Sequence, residues 1–153
     1  MYKVNLVTVG KVKEKYFSEG IKEYSKRLTR FCEFNIIECK EQSLEDTPEK
    51  IALQKESEEI LKKLRGYVVV MAIEGEKINS EKLAALLTKV KDGVGEITFV
   101  VGSSCGISDE VKSKADRLIS FSDMTFPHTL FRLMLCEQIY RGFMISGGGK
   151  YHK

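Results

Sequence analysis

A chain of 153 residues that is 42% hydrophobic and 31% charged, with only two prolines, has the make-up of one globular domain spanning residues 1–153. A chain of that length buries about two-thirds of its unfolded surface without needing disulfides or metals. A formal charge of +3 is too small to identify a nucleic-acid partner by itself. With neither an apolar run of membrane-spanning length nor the pattern of an export signal, no membrane partner is expected.

Val4, Leu6 and Val9 give the segment from Tyr2 to Val9 the character of a strand. A helix is expected from about Glu14 to Thr29, with Tyr16, Ile21, Tyr24 and Leu28 on one side, and a second strand over Glu33 to Glu38. Lysines and arginines crowd the first thirty residues, whereas Glu41, Glu45, Asp46 and Glu49 make an acidic middle. If both ends of the chain share a surface, that surface is basic. Thr47-Pro48 reads as a helix N-cap and first position, ahead of a helix presenting Ile51, Leu53, Ile60, Leu61 and Leu64. Tyr67 to Ile73 is continuously apolar, as a buried parallel strand is, and Glu74-Gly75-Glu76 reads as a turn. Asn79-Ser80-Glu81 opens a third helix, Glu96 to Val101 is a fourth strand, and Ser108 caps a short helix. Arg117 to Phe121 is a fifth strand, followed by a helix from about Pro127 to Ile145 that is apolar on more than one face. A helix of that kind must be covered on most sides, and a homodimer is the expected cover. The fold class is therefore α/β, with a mainly parallel sheet flanked by helices.

The four cysteines, Cys32, Cys39, Cys105 and Cys136, lack the close pairs of a zinc site and read as reduced thiols in a cytoplasm, with no metal. Gly102-Ser103-Ser104-Cys105-Gly106, between a strand and a helix, admits three chemistries. It matches G-x-S-x-G, with Ser104 as nucleophile and Asp123 plus His128 or His152 as partners. Cys105 could instead be a nucleophile favoured by the helix start at Ser108. Or the loop is a backbone surface against which a nucleotide-like ligand lies, which suits the carboxyl end of a strand best. Gly147-Gly148-Gly149-Lys150 lacks the spacing of a phosphate loop, and no G-x-G-x-x-G follows the first strand.

Longer motifs are more specific. Val9 to Tyr16, Val101-Gly102 with Gly106-Ile107-Ser108, the stretch Ser120 to His128, Glu137 to Arg141, and Tyr151-His152-Lys153 together closely resemble the RlmH family, the large-subunit ribosomal RNA methyltransferases H of the SPOUT superfamily. The resemblance spans the whole chain. It implies a SPOUT-type fold with a deep C-terminal trefoil knot, a homodimer, S-adenosylmethionine as methyl donor, and N3-methylation of a pseudouridine in 23S rRNA on the assembled ribosome. By motif it places cofactor contacts on Met71, Gly102, Phe121, Ser122, Asp123, Met124, Thr125 and Phe126. Proton abstraction from a uracil-type imide calls for a base and for cations that stabilise the ring anion. His152, Tyr151 and Arg141 are the candidates for catalysis, and Arg132, His128 and Lys153 for contact with the RNA. Each arginine has a competing reading as an ion pair at the dimer interface, with Glu137 as the candidate partner. Family members commonly carry a second glycine after Gly102, a lysine after Gly75 and a Gly-Glu-Pro-like approach to Tyr151, where this chain has Ser103, Glu76 and Gly148-Gly149-Lys150. Ser103 would be strained if the loop required a positive φ there. Two other classes stand beside this reading: a non-catalytic or altered-substrate RNA-binding SPOUT protein, and a hydrolase using Ser104 or Cys105.

Overall fold

The computed structural model describes residues 1–153. Five strands, β1 (Lys3–Val9), β2 (Glu33–Cys39), β3 (Tyr67–Lys77), β4 (Glu96–Val101) and β5 (Arg117–Ser120), form one sheet in the order β2-β1-β4-β3-β5, and every neighbouring pair is parallel. Between them run α1 (Lys15–Leu28), α2 (Glu49–Leu61), α3 (Ser80–Asp92) and α4 (Asp109–Ser113), and α5 (His128–Ser146) follows β5.

Two-residue alternation in the strands divides the core. Val4, Leu6, Val69, Ile97 and Phe99 face the layer of α1, α3 and α5, whereas Val7, Val9, Val68, Val70 and Val100 face α2 and α4. A parallel sheet covered on both faces needs apolar residues at nearly every central position, which is why β3 reads as an unbroken apolar run from Tyr67 to Ile73. Because all strands point the same way, the ends of β1, β3, β4 and β5 gather at one edge, where ligands of open α/β sheets sit.

Three local expectations fail for identifiable reasons. Thr47 makes no cap; Pro48 occupies the N-cap position of α2 and no side chain closes that end. The buried stripe of α2 is Ala52, Glu56, Ser57 and Ile60, while Ile51 is 45% exposed, because the polar pair is engaged by the loops beyond β4. Glu74-Gly75-Glu76 is no turn: β3 continues to Lys77, and a register shift between Met71 and Glu76 lets both halves pair with β5. Gly75 permits this, since a Cβ there would lie 2.6 Å from the Ile119 nitrogen. By contrast, Asn79 caps α3 by accepting from the Lys82 N–H at 2.9 Å, and Ser108 caps α4 by accepting from Val111 at 3.2 Å.

Candidate active site

At the carboxyl edge of the sheet, the ends of β3, β4 and β5 enclose a cleft of about 260 Å³. Met71, Gly102, Phe121, Ser122, Met124, Thr125 and Phe126 all line it, as do Ser103, Gly106, Ile107, His128 and Phe131. The exception among the expected cofactor residues is Asp123, which is exposed and ion-paired with Lys77 outside the cleft. The lining is mostly apolar, and its one lysine, Lys112, is held by Glu74. It suits a ligand with an apolar or aromatic body better than a phosphate chain. Gly102 makes the close approach possible: a Cβ there would lie 2.6 Å from the Gly106 oxygen and 2.8 Å from Ile107 Cδ1. The following loop is shaped by Ser120, whose hydroxyl donates to the Ser122 carbonyl at 2.9 Å, and by Ser122, whose Oγ accepts from the Met124 N–H at 3.0 Å.

Ser103 carries no strain, because no residue other than glycine has a positive φ. Its hydroxyl donates to Glu56 Oε1 at 2.7 Å and accepts from the Cys105 N–H at 3.2 Å, while Glu56 Oε2 accepts from the Gln42 N–H at 3.0 Å. Glu56 is 1% exposed. A buried carboxylate bound only by neutral donors is costly unless its bonds are good, and these bonds fix the glycine loop from behind. Sequence reasoning missed Glu56. The available signal was its position four residues from both Ala52 and Ile60, in the buried stripe of α2.

The hydrolase reading finds no geometry. Ser104 is exposed, and no histidine engages it: His152 bonds Arg141 and Glu81, and His128 Nδ1 has no partner. Burial raises the Cys105 thiol above its ordinary range, which disfavours a thiolate.

A second constellation sits where α1, α3 and α5 meet the last residues of the chain. Glu137 accepts from Arg141 Nε at 3.2 Å and Nη2 at 2.7 Å, and from the Tyr151 hydroxyl at 2.7 Å. The Arg141 guanidinium lies over the Tyr151 ring, 4.8 Å from its centroid, and Tyr24 Oη is 3.3 Å from Tyr151 Oη. Arg141 Nη1 contacts His152 Nδ1 at 3.1 Å, and His152 Nε2 contacts Glu81 Oε1 at 2.9 Å. Arginine can only donate, so Nδ1 is the acceptor and the ring proton sits on Nε2, where it is donated to Glu81. The one imidazole lone pair is therefore occupied. Burial, reinforced by Tyr24 and Glu137, pushes the Tyr151 phenol above its ordinary range, so it stays a donor at neutral pH. The hydrogen bond from His152 holds Glu81 below the usual carboxylate range.

All three expected catalytic residues thus meet around Glu137, but none of them lines the cleft. Ten residues of α5, about 15 Å of helix, separate Phe131 in the cleft from Arg141. An apolar groove bridges the interval, beginning at Phe121, which it shares with the cleft, and running past Leu130, Leu133 and Met134 to Glu137 and Glu81. Lys153 is exposed beside the cluster.

Arg132 is not placed to touch RNA in this structure. It is 1% exposed and crosses under the sheet edge, donating through Nη2 to the Val9 and Gly10 carbonyls at 2.7 and 2.9 Å and through Nη1 to Glu38 at 3.0 Å. Burial lowers its pKa, with Glu38 opposing that effect. It ties α5 to the end of β1.

The family model described as "Predicted SPOUT methyltransferase" matches residues 2–152. A Streptococcus gordonii protein named ribosomal RNA large subunit methyltransferase H is 49% identical over 161 aligned residues, covering 99% of both chains. The same-named Fusobacterium nucleatum protein is 45% identical over 154, covering 98% of this chain and 99% of its own. Among solved structures, a tRNA (m1G37) methyltransferase from Aquifex aeolicus superposes with a TM-score of 0.52 at 16% identity, over 90% of this chain and 69% of that one. That likeness is one of fold.

Proposed function

The chain belongs to the ribosomal RNA large subunit methyltransferase H family of SPOUT methyltransferases, and from that premise we propose that it transfers a methyl group from S-adenosylmethionine to N3 of a pseudouridine in 23S rRNA of the assembled ribosome. It does so in the cytoplasm as a homodimer, with the donor held in the trefoil knot that the family resemblance implies. The observation that carries this reading is the cleft itself: segments far apart in sequence, ending β3, β4 and β5, meet in one apolar site through Met71, Gly102 and Phe121 to Phe126, Asp123 excepted. When bound there, the sulfonium supplies the methyl group; the chain's own residues grip, orient and exclude water.

The rest of the site handles the base. The imide N3 becomes a good nucleophile only once its proton has left, which calls for a free imidazole lone pair and nearby cations. Here the His152 lone pair is capped by Arg141, so the tail is in a resting arrangement. Substrate must draw Arg141 off Nδ1. Arg141 is then free to stabilise charge on the ring, and His152, still oriented through Glu81, can accept the proton. Because about 15 Å of α5 separates tail and cleft within one chain, the complete site is assembled from the cleft of one copy and the tail of a second, packed along the groove at Leu130, Leu133 and Met134.

The test is to incubate the protein and radiolabelled S-adenosylmethionine with ribosomes lacking the modification, and to locate label by nuclease digestion and mass spectrometry. Label on a single large-subunit pseudouridine is the expected result. No label, with donor binding intact, would replace the reading by a non-catalytic RNA-binding role.

A further inference from the structure

Residues 11–30 hold seven lysines and arginines against three glutamates, a surplus larger than the +3 of the whole chain, so the remainder is slightly acidic. The structure orders these cations. Lys15, Lys22 and Lys26 fall at i, i+7 and i+11 of α1, within an arc of about 40°, on the side opposite Ile21 and Leu28, which are buried in the core. All three lysines are exposed, and the stripe is about 16 Å long. Lys11 and Lys13 prolong it ahead of the helix and Arg30 behind it, all exposed. Only Lys15 and Arg27 have a carboxylate partner, Glu19 at a loose 3.8 Å and Glu23 at 2.9 Å. Tyr16 stands among these cations at 70% exposure.

The stripe is joined to the tail. Arg27 lies over the rings of Tyr24 and Tyr140, at 5.3 and 5.5 Å from their centroids, and Tyr24 meets Tyr151 through their hydroxyls. One surface therefore runs from unpaired cations to His152.

We propose that the outward face of α1, with Lys11 and Lys13, is a second docking surface that grips the phosphate backbone of large-subunit rRNA near the target nucleotide. This deepens the methyltransferase reading and rests on it. Spaced lysines without bidentate geometry suit backbone positioning rather than base readout, and an exposed aromatic among them offers a stacking plane to an unpaired base. A membrane surface fits less well, because the apolar side of α1 is already packed on α5 and none is left for lipid.

The experiment compares the unsubstituted protein with Lys15→Gln/Lys22→Gln/Lys26→Gln, a variant altered only at solvent-facing positions. Ribosome methylation and equilibrium binding to ribosomes are both measured across a salt series. The expected variant has a ribosome KM raised about tenfold or more near physiological salt, an unchanged kcat, an unchanged S-adenosylmethionine Kd, and a log–log salt slope shallower by about 2, three contacts at ~0.7 each. Equal KM and equal slope in the two proteins would overturn the proposal. So would loss of binding to phosphatidylserine vesicles with ribosome binding intact. If the unsubstituted protein transfers no methyl group, the methyltransferase reading fails, while the binding slopes still decide whether α1 docks RNA.

Discussion

The cleft and the tail cluster solve different problems with different materials. The cleft is made of apolar side chains set on fixed loops: a glycine where no Cβ fits, loops folded on their own hydroxyls, and a brace from Glu56 behind Ser103. The tail cluster is made of side chains, with Glu137 collecting Arg141 and Tyr151 and with His152 held between Arg141 and Glu81. A site of packed apolar side chains on braced loops binds one shape and has little to rearrange. One built from charged side chains near the surface can exchange partners, as the proposed role of His152 requires.

The largest effect is expected from breaking the cleft. Gly102→Val places side-chain atoms where the Gly106 carbonyl and Ile107 already lie, and calorimetry should show S-adenosylmethionine binding weakened about 100-fold or more, roughly 2.7 kcal/mol. Circular dichroism should stay native, since the loop lies at the sheet edge. Next comes the tail: Glu137→Gln removes the carboxylate shared by Arg141 and Tyr151, and kcat should fall about 10- to 100-fold while donor affinity holds within about twofold. A fall in donor affinity instead would mean that the two regions are not separate. Glu56→Gln tests the brace, weakening a charge-assisted bond to Ser103. The KM for the donor should rise about fivefold, with kcat unchanged. The smallest effect is Cys105→Ala, for which transfer should stay within about twofold. Burial holds the Cys32 and Cys136 thiols up at about 12 and raises Cys105 as well, so alkylation should be slow at neutral pH and speed up only as pH climbs past the ordinary thiol range.

The same contrast explains what could be read in the sequence. The strands were legible because alternation in β1 and an apolar run in β3 are local signals, and so are the caps Asn79 and Ser108 that start α3 and α4; the start of α2 was not. The cleft was legible because the segment from Ser120 to His128 is a contiguous motif. At Asp123 the motif does not say which way the side chain turns, and it turns outward to Lys77. Arg132 had two readings, RNA contact and ion pair, because a cation near a functional segment looks the same either way; the structure gives it an ion pair with Glu38 and two buried carbonyls, at 1% exposure. Glu56 was missed because, although its spacing from Ala52 and Ile60 puts it on their face, its partners Gln42 and Ser103 are brought to it only by tertiary folding. The Glu74 to Glu76 strand was masked by turn-like residues whose glycine serves the close approach to β5 instead.

The most direct test of the central claim, that the cleft of one copy works with the tail of another, is complementation. Gly102→Val and His152→Ala proteins, each inactive alone, are mixed in equal amounts under conditions that allow subunit exchange, and methylation of ribosomes lacking the modification is measured. The account predicts recovery of about a quarter of normal activity, because half of the mixed dimers' sites, in half of all dimers, pair an intact cleft with an intact tail. A mixture no more active than its two components, once exchange is verified, would contradict it.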